Sequence, residues 1–329
     1  FLCTYRYRHP LGSSEMYHEG IVGTDGVTLS QGGREFVEAI KEMKMLRTEY
    51  DSSSVMPAYI SRRKTAILWS HDVMWDLDIQ KQTILWNTWR HRNNYTLAVK
   101  SAGAPMDFIS EDDDFSRYPF LIAPAFQMVD KALVTKWCDY AEKGGHLILT
   151  CRTGQKDKNG HFFESPWAGP IRTLIGADLE FFDMLLAENY GTVRYNGSDY
   201  LWNTWAEVLS PYPGTNVLAS YTDQFFAGKA SVIKRQLGKG DITYIGVASK
   251  DGLLERRIVR SVYENSGVMI EDLPVGVFTE WRDGFYITVN YTDNDYKFSI
   301  PPEGRILSGS NPLKPANALV WTTGHKRSE

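Results

Sequence analysis

At 329 residues, with 43% apolar and 23% charged side chains, the chain has ordinary globular composition, which excludes wholesale disorder and leaves room for about two domains. Lys plus Arg number 36 against 40 Asp plus Glu, a formal net charge of −4, so the electrostatic footprint of a nucleic-acid or anionic-membrane binder is missing. No uninterrupted apolar run of about 18 residues is present to span a bilayer. The opening has no basic start leading into an apolar signal core; the compartment stays unknown from the sequence, with a cytoplasmic location favoured. The sequence begins Phe1-Leu2-Cys3-Thr4-Tyr5, which reads as the middle of a strand and predicts a piece of a longer polypeptide.

Three cysteines, Cys3, Cys138 and Cys151, make an odd set with no short spacing. That excludes a disulfide framework and any Cys-x-x-Cys zinc or redox motif, and each reads better as a small buried hydrophobe than as a nucleophile. Sequons at Asn94, Asn196 and Asn290 carry no weight without a secretory signal.

In chain order, Phe1–Tyr7 reads as a short strand, followed by a polar stretch rich in Gly, Ser and His. A helix is expected near Arg34–Leu46, with Phe36, Ile40, Met43 and Leu46 on one face. Asp51-Ser52-Ser53-Ser54, with Pro57 soon after, reads as a linker. From Arg63 the pattern becomes strand–helix alternation. Thr65–Trp69 is a buried parallel strand, a long helix is expected from about Asp78 to Ser101, and Met106–Ile109 is a second strand. Tyr95–Val99 has local strand propensity but is read as helical, because a strand there would crowd the alternation. Pro119–Pro124 is a further apolar run, Asp130 caps a helix over Lys131–Glu142, Gly144-Gly145 ends it, and His146–Thr150 is another parallel strand.

Asp183–Gly240 is richer in β patterns and turns, including Arg194-Tyr195-Asn196-Gly197. Asp241–Ala248 is one more buried strand, and Leu254, Ile258 and Val262 line a helix ending near Gly267. The expectation is an open doubly wound α/β sheet. Beyond Asp272 only short strands are expected: Val275–Trp281, Phe285–Thr292, Tyr296–Ile300 and Ala318–Trp321. With a hairpin turn at Asp283-Gly284, they suggest a small antiparallel sandwich.

The α/β pattern invites three chemistries, and each fails a simple test. A phosphate site needs a glycine-rich turn after the first strand, whereas Ser70-His71-Asp72-Val73-Met74-Trp75 has no glycine. An amidotransferase nucleophile needs a Cys on a tight strand-to-helix turn. Cys151 stands at a strand end, but Arg152–Asp157 reads as a long polar loop. The seven His are scattered, so neither a metal site nor a cofactor is expected.

The opening segment is more informative. Tyr5 and Tyr7 would lie on one face of a strand, with Arg6 and Arg8 on the other, and Glu15 and His18 follow three residues apart. A carboxylate accepts from two neighbouring sugar hydroxyls, an imidazole donates to a third, and an aromatic face covers the ring's C–H side. Periodicity alone still favours a satisfied polar loop.

Thr4-Tyr5-Arg6-Tyr7-Arg8 followed by Glu15-Met16-Tyr17-His18-Glu19-Gly20 resembles the end of the catalytic barrel in glycoside hydrolase family 42 β-galactosidases. There the last barrel strand carries alternating aromatic and Arg residues before a Glu-x-x-His-x-Gly loop. Asp107–Asp113, Leu121–Ala125 and Gly144–Asp157 are similar to that family's trimerisation domain, an amidotransferase-like α/β domain without amidotransferase activity. The terminal β-module fits the family's small C-terminal domain.

The resemblance implies four segments: the last strand and helix of a (β/α)8 barrel over 1–48, a linker over 49–63, the trimerisation domain over 64–269 and a C-terminal β domain over 270–329. It also implies a retaining enzyme with two glutamates about 5–5.5 Å apart. A whole barrel takes about 250 residues, and the family's Asn-Glu acid/base motif is absent here. Both catalytic glutamates are therefore expected upstream of Phe1, no catalytic residue is assigned, and the chain alone is expected to be inactive. Matched residue by residue, Glu15 and His18 would bind galactose hydroxyls, Met16 and Tyr17 lie between them, and Tyr5 would line the sugar. A galactoside substrate and a homotrimer are the implied partners, with Trp75, Trp86, Trp89, Trp167, Trp202 and Trp205 as core or interface anchors. The rival readings are a non-catalytic oligomerisation or carbohydrate-binding relic, an α-L-arabinopyranosidase, and an amidotransferase using Cys151.

Overall fold

Helix boundaries in the structure follow the capping side chains rather than the apolar rows alone. The computed structural model describes residues 3–324. Helix α1 (Gln31–Glu49) starts ahead of the expected Arg34 because the Ser30 hydroxyl accepts the Gly33 N–H. A single turn, α2 (Ala58–Ser61), interrupts the stretch read as linker. Strand β1 (Thr65–Leu68) is buried throughout, and Ser70 then caps α3 (His71–Ile79), so the six residues read as a turn are the cap and first turn of a helix.

The single helix expected over Asp78–Ser101 is two. The chain leaves α3 at Gln80, Gln82 takes a left-handed φ of +68°, and Asn87 restarts the helix by accepting the Arg90 N–H at 2.8 Å. A short amide that caps its own backbone outcompetes continuation of the helix through it. The resulting α4 (Thr88–Ser101) contains Tyr95–Val99, as expected.

Strands β2 (Met106–Ile109), β3 (Phe120–Ala123) and β4 (His146–Thr150) follow, with α5 (Lys131–Glu142) between the last two and capped by Asp130. Gly144 takes φ +116°, and a Cβ on Gly145 would lie 2.3 Å from the Tyr140 ring, so both glycines at this helix end are required. Next come α6 (Arg172–Ile175), β5 (Ala177–Asp183), β6 (Gly191–Tyr195), β7 (Ser198–Pro211), β8 (Thr215–Tyr221) and β9 (Ala230–Leu237). The strand expected over Asp241–Ala248 is divided at Gly246 into β10 (Gly240–Ile245) and β11 (Val247–Ser249), after which α7 (Leu253–Asn265) closes this part.

These strands form one eleven-stranded mixed sheet. Its parallel portion runs β2-β1-β3-β4-β10, and the antiparallel portion continues through β9, β8, β6, β7 and β11, with β5 on β7. Alternate residues of the parallel strands feed two cores. Leu68, Leu121 and Leu149 pack with Val73, Leu77, Leu133 and Trp137 from α3 and α5. Ile67, Ile122 and Ile148 pack with Tyr95, Val99, Ile258 and Val262 from α4 and α7. Burial on both faces is why these strands read as continuous apolar runs.

At the carboxyl end of β4, polar groups enter the interior. Glu207 of β7 has no exposed surface and accepts from the Arg152 backbone N–H (2.8 Å), Trp205 Nε1 (3.1 Å), Gln155 Nε2 (3.2 Å) and the Tyr244 hydroxyl (2.7 Å). Arg152 itself takes φ +68°. Its guanidinium lies 4.6 and 4.7 Å from the ring centroids of Trp86 and Trp205 and donates to the carbonyls of Gln80 (2.8 Å) and Lys81 (3.2 Å), fixing the loop between α3 and α4.

The C-terminal strands are β12 (Val277–Arg282), β13 (Phe285–Asn290), β14 (Arg305–Ser308) and β15 (Asn317–Thr322), in the order β12-β13-β15-β14. Asp283 and Gly284 take φ +49° and +93°, the geometry of the expected hairpin turn. Two expectations are corrected. The described residues form one small antiparallel sheet rather than a sandwich. Tyr296–Ile300 supplies only a bridge from Tyr296 to Leu313, because Pro301-Pro302 stop the run, and β14 takes the edge position instead.

The chain divides into two compact units. One holds Pro57–Glu280 with Val289–Asp293, and the other holds the residues up to Met56, Trp281–Thr288 and the residues from Asn294 on. Within the second, Tyr286 stacks on Trp321 at 3.9 Å and Arg305 pairs with Glu49 of α1 at 2.6 Å.

Burial pushes the Glu207 carboxyl from its ordinary 4.5 up to about 7. The folded state thus holds this proton more tightly than the unfolded chain, so its contribution is complete below about pH 4.5 and is lost as pH rises through about 7. Glu207→Gln keeps the shape and one acceptor oxygen. Its melting temperature is expected to rise relative to the parent between pH 5 and 7.5, by a free-energy difference on the order of 3 kcal/mol. A difference that stays constant with pH would remove Glu207 as the titrating group.

Candidate functional site

The sugar-type residues of the opening segment lie on a short backbone clasp. Ile21 N–H donates to the Arg6 carbonyl at 3.3 Å, Val22 N–H to the Tyr7 carbonyl at 2.8 Å, and His9 N–H to the Val22 carbonyl at 3.0 Å. Of the strand expected over Phe1–Tyr7, Phe1 and Leu2 lie outside the described residues, and Cys3–Tyr7 is not a strand. A strand needs backbone partners along its length, and the described residues supply them only around Arg6–His9, where Arg8 bridges Val22.

Gly20 makes this clasp possible. A Cβ there would lie 2.6 Å from the Arg8 carbonyl carbon and 2.8 Å from the Tyr7 oxygen. The Ser30 hydroxyl, which caps α1, also donates to the Gly20 carbonyl at 2.6 Å, tying the loop to the helix start. Arg8 donates to the Thr24 carbonyl at 2.6 Å, holding the loop that Asp25 organises through the N–H groups of Val27 and Thr28.

Between Arg8 and Gly20 the chain makes a turn in which His18 N–H donates to the Glu15 carbonyl at 3.0 Å, placing Glu15 and His18 at its two ends. The Glu15 carboxylate accepts from Arg6 Nη2 in an ion pair with both side chains about one-third exposed. The Arg6 guanidinium also stands 5.2 Å from the Tyr5 ring centroid, and its pKa is raised, first by the hydrogen bond to Glu15.

Of the five sequence-predicted residues, the structure gathers Tyr5 and Glu15 around Arg6. It places Met16, Tyr17 and His18 on the exposed turn beside them, with Tyr17 93% exposed. Arg6 is the residue that the sequence reading left without a role. Its signal was present as the Arg alternating with Tyr, but only the folded turn shows which carboxylate it meets. The arrangement offers an acceptor carboxylate oriented by a cation, two open aromatic rings and an imidazole. That is hydrogen-bonding and stacking chemistry suited to a polyhydroxylated ring.

At the carboxyl end of the large sheet Cys151 and His91 are both buried. Cys151 has no exposed surface, and burial pushes its thiol well above the ordinary value, which suppresses the thiolate. His91 hydrogen-bonds the Thr150 hydroxyl at 3.1 Å, and burial pulls it down to about 3, leaving a neutral imidazole. Among the described residues no group of three or more His, Cys, Asp or Glu side chains is placed to hold a metal ion. No helix among them is long and apolar enough to cross a membrane.

Comparison with known proteins agrees with the resemblance read from the motifs. β-Galactosidase BgaH of Haloferax lucentense is 28% identical over 317 residues, covering 96% of this chain and 46% of that protein. β-Galactosidase Bga of Halorubrum lacusprofundi is 27% identical over 312 residues, 91% of this chain and 43% of its own length. The chain therefore spans about half the length of the curated relatives it matches. The solved structure of the β-galactosidase from Halorubrum lacusprofundi superposes with a TM-score of 0.85 at 25% identity, covering 97% of this chain and 47% of that one. Gan42B, described as a GH42 β-galactosidase, shares the fold at 22% identity and a TM-score of 0.78, covering 96% of this chain and 47% of its own. The family model described as the β-galactosidase trimerisation domain matches residues 63–268. With well over half its length in that match, the chain belongs to the glycoside hydrolase family 42 β-galactosidases.

Proposed function

We propose that the chain is the C-terminal part of a retaining β-galactosidase that hydrolyses terminal β-D-galactosides. In this reading residues 1–48 are the last strand and helix of its (β/α)8 barrel, 49–63 a linker, 64–269 a doubly wound, amidotransferase-like trimerisation domain, and 270–329 the C-terminal β domain. The partners are a galactoside and two further copies of the same protein. The observation that carries the proposal is the similarity to a curated β-galactosidase along 96% of the chain, in which the opening turn is included.

In the complete enzyme Tyr5, Glu15, Met16, Tyr17 and His18 form part of the galactose subsite. Glu15 accepts from sugar hydroxyls, Arg6 fixes its carboxylate and offers a charged donor beside it, His18 reaches a further hydroxyl, and Tyr5 covers an apolar face of the ring. The pair Arg6–Glu15 supports this, since a carboxylate already oriented by a guanidinium costs little to reorganise as charge develops on the sugar. The two glutamates that cleave the bond belong to barrel outside these residues.

Glu15→Gln in the full-length protein is expected to lower kcat/KM for nitrophenyl β-galactoside about tenfold to a hundredfold. The larger share should fall on kcat, because hydrogen bonds to the sugar strengthen in the transition state. Unchanged kinetics would take Glu15 out of the subsite. The 329-residue chain by itself is expected to release no nitrophenol above background. Enzyme-like turnover by it would place the catalytic carboxylates within this sequence and defeat the reading.

A further inference from the structure

Helix α7 of the large unit has two unlike faces. Leu254, Ile258 and Val262 are buried together with Glu255, Val259 and Tyr263. On the other side Arg256, Arg257 and Arg260 line a cleft of about 410 Å³, completed by Leu253, by Tyr200 of β7 and by Asp272. Residues three and four apart are neighbours on a helix surface, and like charges placed there repel. In a chain of net charge −4, three arginines in one cleft are a local excess that the fold has to accommodate.

The neighbouring carboxylates go to only one of the three. Arg260 Nε donates to Glu264 at 2.8 Å, and its Nη1 pairs with Asp272. Arg256 is half-buried, and its hydrogen bonds run to neutral oxygens, the Ser101 hydroxyl at 3.1 Å and the Leu273 carbonyl at 2.6 Å. Burial lowers its pKa; Asp272 pulls it up and Arg260 pushes it down again. Arg257 is exposed and, among the described residues, makes no hydrogen bond or ion pair. The cleft therefore holds two guanidiniums with no carboxylate bonded to either, carried on consecutive residues of one helix.

We propose that this cleft binds a phosphorylated monosaccharide, with Arg256 and Arg257 on its phosphoryl group. The planar guanidinium fork matches phosphate oxygens in paired hydrogen bonds, and a bound dianion relieves the repulsion among the three cations. The cleft volume falls within the ~300–1,000 Å³ usual for small-molecule sites. A bare phosphate would leave its other walls unused. Tyr200 and Leu253 offer an apolar surface to the C–H side of a sugar ring. The Asp272 side chain, 72% exposed and already neutralised by Arg260, is an acceptor for sugar hydroxyls. Cations at one end and an apolar wall with an acceptor at the other suit a single molecule that carries an anion and a hydroxylated ring. The site shares no residue with the galactose subsite.

The test is isothermal titration calorimetry of the full-length polypeptide carrying this sequence, with glucose 6-phosphate and inorganic phosphate as probes. Glucose 6-phosphate is expected to bind in the micromolar to low-millimolar range, and inorganic phosphate about tenfold more weakly. Arg257→Glu should weaken glucose 6-phosphate about tenfold to a hundredfold, because it removes a charge-assisted hydrogen bond. Its melting temperature without ligand should equal the parent's, since the fold makes no use of that side chain. Arg257→Lys keeps the charge without the fork and should fall between the two. Asp272→Asn should weaken glucose 6-phosphate relative to phosphate. Failure of the parent to bind glucose 6-phosphate, or equal binding by the parent and Arg257→Glu, would overturn the proposal. Inorganic phosphate binding as tightly as glucose 6-phosphate would overturn the assignment of a sugar to the rest of the cleft.

Discussion

A buried carboxylate organises the carboxyl end of the large sheet. Glu207 sits on β7, far along the chain from most of its donors, yet it gathers the exit from β4 through Arg152, the following loop through Gln155, and β10 through Tyr244. Burying such a group without partners is costly, so all four donors must be in place together. That requirement couples the parallel and antiparallel portions of the sheet. It also explains the left-handed backbone at Arg152, which turns its N–H toward the acid while its side chain leaves between two indole rings.

The chemical consequence is a filled crevice. In open α/β sheets ligands bind outside the carboxyl ends of the strands. Here that region is occupied by the protein's own Trp86, His91, Arg152 and Trp205, with Cys151 sealed beneath them. Burial suppresses ionisation of the thiol and makes the imidazole a weak base. The exposed aromatic residues Trp75, Trp89 and Phe108 of this unit stand around Trp69 and His71.

The opening segment works by a different principle. It has little core of its own, and its order comes from backbone hydrogen bonds at Arg6–His9, from Gly20 admitting the Tyr7–His9 backbone at close range, and from the cap of α1 reaching back to the Gly20 carbonyl. Within that frame Arg6 and Glu15 find each other. The three-residue spacing of Glu15 and His18 was legible in advance as part of a polar loop; the hydrogen-bonded turn that they end was not. The Tyr–Arg alternation was legible too, but as a strand pattern, and strand geometry could not reveal the Arg6–Glu15 pair.

What the sequence determined by itself was set by local chemistry. Continuous apolar runs named the parallel strands, Asp130 marked a helix start, Gly144-Gly145 a helix end and Asp283-Gly284 a hairpin, because each depends on neighbouring backbone alone. The family was also legible there, since short motifs survive when overall identity is low. At the break between α3 and α4 the Asn87 cap, three residues from the Arg90 N–H it accepts, was a local signal, while the tertiary structure decided the path of the loop through the hold of Arg152 on Gln80 and Lys81. It also decided which tryptophans are core and which are surface, and that one sheet rather than two closes the C-terminal region. Those outcomes depend on partners brought from distant parts of the chain, and no window of sequence contains both sides of such a contact.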